Sequence, residues 1–169
     1  MVVYTSRALL VNILIYYINY LDGAGNMRIT AFLLFLVMMG ATNAATIFVD
    51  SGESRKVFGE FDPDVTIDSL SIESDGGIYF GLRAADMEDT EYVSIYIGVQ
   101  SELFFISGGV GRLEDEVPLL ATNSVAEVQG GIQYSLGGFR FRMGLRHISD
   151  PEEIDDGRDF VFVAAGVQF

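Results

Sequence analysis

"DFVFVAAGVQF", residues 159–169, decides the fold. Val161, Val163, Ala165, Val167 and Phe169 share one parity, and the sequence stops on that aromatic. Successive side chains of a strand point to opposite faces, so the segment reads as a strand with one continuous apolar face. The preceding run, "FRFRMGLRHIS" at 139–149, alternates in the same way. Phe139, Phe141, Met143 and Leu145 fall on one parity and Arg140, Arg142 and Arg146 on the other; His147 and Ser149 then take over the apolar parity.

Working outward, the pattern repeats. Val93, Ile95, Ile97 and Val99 oppose Tyr92, Ser94, Tyr96 and Gly98, and Ala126, Val128, Ile132, Tyr134 and Leu136 oppose Glu127, Gln129, Gln133 and Ser135. After Ala45 no long helical periodicity appears, and short alternating runs are separated by stretches rich in Gly, Asp and Glu. Eight strands are expected, over about 46–59, 67–74, 77–85, 91–99, 102–111, 124–136, 139–149 and 159–169. The connectors "SDGG", "QSE" and "GG" are tight, whereas "EFDPDVT", "ADMEDTE", "RLEDEVPLLATN" and "DPEEIDDGR" are longer and mostly acidic.

Short turns at one end and longer loops at the other describe an eight-stranded antiparallel transmembrane β-barrel. A terminal aromatic after an alternating run is the usual ending of outer-membrane barrels. A soluble sandwich has similar local alternation, but about 125 residues in eight such strands fit the small end of the barrel series. Arg140, Arg142 and Arg146 then point into the lumen, where Glu127, Glu73 and Arg83 are available for a paired network, since unpaired buried charge costs too much. Eight strands leave room only for side chains, which argues against a porin.

The 169 residues carry a net charge of −14, yet half are hydrophobic. Excess acid opposes binding to nucleic acid, whose phosphates it would repel. With no cysteine and one histidine, neither disulfides nor transition-metal sites are expected. The acidic loops lack EF-hand spacing and read as a solvated surface.

Met27 and Arg28 precede the apolar run "ITAFLLFLVMMGA" and the small residues Thr42, Asn43 and Ala44, which reads as a signal peptide over 27–44 with the mature barrel at 45–169. Residues 1–26 contain a second apolar stretch, short for a spanning helix. They read as an upstream mis-start, with a membrane anchor as the alternative.

Parity places His147, Ser149 and Asp159 together on the lipid side of the last hairpin, at its extracellular rim. Residues i and i+2 lie about 7 Å apart on one face, and a register pairing His147 with Asp159 also pairs Leu145 with Val161 and Met143 with Val163. Directly opposed Cβ atoms are about 4.5–5.5 Å apart. These are the parts of a hydrolytic triad: nucleophile, general base, and the carboxylate that orients the base. The bland alternative is that polar residues mark where the strand leaves the hydrocarbon.

"HIS", a short polar loop and "DGRD" at the head of the last strand resemble the lipid A 3-O-deacylases of bacterial outer membranes. In that family the last hairpin carries a His-x-Ser motif, usually followed by Asn, and an acidic residue follows an Asn/Asp-Gly near the start of the final strand. The match covers about 25 residues. The resemblance implies an outward-facing Ser149–His147–Asp159 site that hydrolyses the ester-linked acyl chain at the 3-position of lipid A in the outer leaflet, with no metal or other cofactor. Two positions depart from the pattern: the family's acid is typically Glu where this chain has Asp159, and Asp150 stands in place of the Asn. A negative charge beside the nucleophile opposes a developing oxyanion. A non-catalytic barrel with a structural, adhesive or surface-recognition role and an outer-membrane phospholipase are the competing expectations.

Overall fold

The computed structural model describes residues 44–55, 65–87, 90–114, 123–151 and 157–169. The expected signal peptide and upstream segment lie outside these residues, apart from Ala44, as does most of the acid in the long loops. The described residues belong to one compact unit.

The strands are β1 (Ala45–Ser54), β2 (Thr66–Ser74), β3 (Ile78–Met87), β4 (Thr90–Gln100), β5 (Phe104–Leu113), β6 (Ser124–Leu136), β7 (Phe139–Ser149) and β8 (Gly157–Gln168). Each pairs antiparallel with the next, and β8 closes on β1 to give a closed eight-stranded barrel. Closure leaves no open edge, so every strand's backbone groups find a ladder partner, as a spanning structure requires. The chain's last residue takes part: Phe169 and Ala45 exchange backbone hydrogen bonds of 2.9 and 3.0 Å.

Two expected boundaries shift. β1 is described to Ser54, and the rest of its expected length falls outside the described residues. The connector "ADMEDTE", expected to be a long loop, shrinks to positions 88 and 89, because β3 continues to Met87 and β4 begins at Thr90. Asp86 and Glu91 pair across this hairpin on outward positions, where water can reach them. Their acidity therefore did not mark a break in the strand.

Hydrophobicity is inverted relative to a soluble sandwich. Ile78, Phe104, Val110, Tyr134, Leu136 and Val163 are all more than half exposed, a continuous apolar surface of a kind that marks contact with lipid or another partner. Towards the tight-turn end that surface carries Phe80, Phe104, Tyr134, Phe139 and Phe141, matching the aromatic girdle of transmembrane barrels. Towards the loop end the outward positions become Glu53, Asp68, Asp86 and Arg112.

The interior is solid. At the loop end Ile67, Met87, Tyr92, Leu113, Ile148 and Phe160 form an apolar plug. Beneath it Asp50 takes two 3.0 Å hydrogen bonds from Arg146, and Glu127 is bound by Arg83, by Tyr92 at 2.7 Å and by Ser94 at 2.8 Å. Further down Arg142 reaches Glu73 at 2.7 Å while stacking over Phe48 and Phe105. Arg140 meets Asp75 at 3.1 Å at the turn end. The three arginines of β7 thus face inward as their parity requires, and the carboxylates that neutralise them include both Glu127 and Glu73. Buried charge paired in this way avoids the desolvation penalty of an isolated ion.

Candidate active site

The β7–β8 register is one that the alternation allows. His147 stands opposite Asp159, Leu145 opposite Val161, Met143 opposite Val163 and Ser149 opposite Gly157. Ser149 and His147 lie on the outward parity of β7, and Asp159 and Gly157 on the outward parity of β8, so the four make the corners of one rectangle on the barrel's outer face.

Nδ1 of His147 lies 2.8 Å from Oδ1 of Asp159. An ionised carboxylate only accepts hydrogen bonds, so Nδ1 carries the proton and Nε2 is the basic nitrogen, the tautomer a general base needs. Although outward, the pair is sheltered: the side chains are 16% and 3% exposed, and Ser149 is only 2% exposed. Little water surrounds the contact, which strengthens it relative to a surface ion pair. The Arg55 amide donates to the main-chain carbonyl of Asp159 at 2.8 Å and ties the head of β8 to β1.

The link between ring and hydroxyl is one of proximity. Among the described residues no hydrogen bond joins Ser149 Oγ to the ring. However, a Cβ built on Gly157 would sit 2.9 Å from Cε1 of His147 and 3.0 Å from Cβ of Ser149, so the ring and the Ser149 Cβ both border the bare backbone of Gly157. Asp150, the position that departs from the deacylase pattern, is buried at 4% exposure beside Ser149. Among the described residues no group of His, Asp and Glu is arranged to hold a metal ion.

Two features escaped the sequence reading. The burial of the three polar residues was not visible, because parity gives direction and not cover. Gly157 appeared only as part of the "DGRD" motif; its place opposite Ser149 required the register.

No protein-family model matches the chain, and no curated protein sequence does. Solved structures do. The N-terminal β-barrel domain of Pseudomonas aeruginosa OprF aligns at a TM-score of 0.57 and 12% identity, over 76% of this chain and 98% of that one. The outer membrane enzyme PagL aligns at 0.53 and 12% identity, over 72% and 98%. The fold is that of small outer-membrane barrels. At this identity the likeness concerns architecture alone, and it extends to an enzyme and to the OprF domain to a similar degree.

Proposed function

We propose that this chain is an outer-membrane esterase that removes the 3-O-linked acyl chain of lipid A, with Ser149 as nucleophile, His147 as general base and Asp159 as the group that orients and stabilises the ring. The observation that carries this reading is the 2.8 Å contact between His147 Nδ1 and Asp159, on the same outward face as Ser149. A sheltered structural histidine also needs a hydrogen-bond partner; what favours the catalytic reading is the hydroxyl of Ser149 two residues on, on the same outward face as the pair. The residues that resemble the deacylase motif are the same three, and the fold is shared with PagL.

In the proposed reaction Nε2 of His147 takes the Ser149 hydroxyl proton as Oγ attacks the ester carbonyl. Asp159 holds the resulting imidazolium. Collapse of the tetrahedral intermediate breaks the bond to the sugar oxygen, which leaves with the proton carried by His147. Water, deprotonated by the same ring, then hydrolyses the acyl-enzyme and releases the fatty acid. Attack from the barrel's outer face suits an ester whose acyl chain lies in the leaflet.

The competing reading is a non-catalytic barrel with a structural, adhesive or surface-recognition role, favoured by the equally good architectural match to the OprF domain. Mass spectrometry of lipid A from cells with and without the protein separates the readings. Loss of one 3-hydroxyacyl chain supports the deacylase, release of lysophospholipid points to a phospholipase, and an unchanged lipid profile leaves the structural barrel.

A further inference from the structure

We infer that Gly157 is a positioning residue of the site: its missing side chain is the empty corner that lets the His147 ring, anchored on Asp159 of β8, lie beside the Ser149 row. This rests on the triad reading for its catalytic consequence, though not for its geometry.

The argument begins with the rectangle. His147 and Asp159 occupy one directly paired row, Ser149 and Gly157 the next. To place Nδ1 on the carboxylate, the ring must leave its own strand and lean over β8. In an imidazole Cε1 lies between Nδ1 and Nε2, so the edge that points away from Asp159 is the edge carrying the base. Cε1, the atom that joins the two nitrogens, borders the fourth corner, where a Cβ on residue 157 would be 2.9 Å from it. The same Cβ would be 3.0 Å from Cβ of Ser149 and 2.5 Å from the carbonyl oxygen of Ile148. Any side chain there competes with the ring and the nucleophile for one space, and the backbone beneath cannot recede.

Backbone conformation does not explain the glycine. Among the described glycines only Gly76 and Gly137 have positive φ, both in tight turns. Gly157 lies at the head of β8 without a positive φ, so what the position demands is space, and the groups that claim it are the Ile148 carbonyl, His147 and Ser149.

The chain's single histidine makes the test direct. In the intact refolded protein in detergent micelles, NMR should show a cross-peak between the His147 Hε1 proton and the Gly157 Hα protons, together with a sheltered Nδ1 proton signal that disappears in Asp159→Ala, which removes the acceptor. Gly157→Ala should abolish that Nδ1 signal and lower kcat about a hundredfold with KM changed less than about twofold, as expected when a reacting group is displaced by about an ångström. Gly166→Ala is the matched control: it lies in the same strand, and its Cβ would meet Phe48 Cδ1 at 2.6 Å inside the lumen. It should lower thermal stability while preserving the Nδ1 signal and, per folded molecule, activity.

Absence of the Hε1–Hα cross-peak in the unaltered protein overturns the inference, whether or not Gly157→Ala folds. So does a folded Gly157→Ala that keeps both the Nδ1 signal and kcat. If the protein hydrolyses no lipid ester yet shows the cross-peak and loses the Nδ1 signal on Gly157→Ala, the positioning role stands and the esterase reading falls.

Discussion

Replacing Asp159 with Asn probes the site with little change of shape. The amide oxygen can still accept a hydrogen bond where Oδ1 now lies 2.8 Å from Nδ1 of His147, so the principal loss is the negative charge. That charge matters when the ring becomes an imidazolium. With charge centres about 4 Å apart and an effective dielectric constant of about 20, suited to a pair near a protein surface but sheltered from water, the lost attraction is about 4 kcal/mol. The choice of dielectric follows from the exposures, 16% for the histidine side chain and 3% for the aspartate; in bulk water the figure would be only about 1 kcal/mol. Because each 1.36 kcal/mol is a tenfold change in rate, about 4 kcal/mol predicts a fall in kcat of about a thousandfold. KM should scarcely move, since the charge acts on a species formed during reaction. The assay is release of 3-hydroxy fatty acid from lipid A in mixed micelles, with folding checked by heat-modifiable gel migration. Retention of more than a tenth of the original kcat by a folded Asp159→Asn protein would refute both the ion-pair reasoning and the role given to the carboxylate.

Ser149→Ala and His147→Ala should each reduce deacylation to background without altering heat-modifiable migration, and the double variant should be scarcely worse than either, because triad members act as a unit; multiplicative losses in the double variant would contradict this. Asp150→Asn should preserve or raise kcat by removing a buried negative charge beside the nucleophile, and a fall of tenfold or more would show that this carboxylate is needed. Within the lumen, Asp50→Leu should cost about 3–5 kcal/mol in urea unfolding, since it strips fully buried Arg146 of its two 3.0 Å bonds. Adding Arg146→Met should recover most of that loss, and a double variant as unstable as the single one would count against the pairing argument. Finally, the mature protein should begin at or near Ala45 and fractionate with outer membranes; N-terminal sequencing that recovers residues 1–26 would overturn that expectation.

The barrel was legible because strand alternation has a period of two and a closed sheet has only two faces. Val161, Val163, Ala165 and Val167 on β8, set against the inward arginines of β7, left few other architectures for so acidic a chain. For the β7–β8 register the same logic excludes odd slips, which would turn Phe139, Phe141 and Met143 inward. A slip of two residues keeps every face, so the pairing of His147 with Asp159 was compatible with the alternation and was decided by the tertiary structure. Alternation does not reveal where a strand meets water, so the acid at Asp86 and Glu91 looked like a loop and proved to be strand. Nor does it reveal which lumen carboxylate meets which arginine, because Asp50 and Arg146 are 96 positions apart and only barrel closure brings them together. At the candidate site, parity supplied direction alone. The shelter around Ser149 and Asp159 and the approach of the His147 ring and the Ser149 Cβ to Gly157 depend on distances across paired strands, which are fixed by packing in three dimensions.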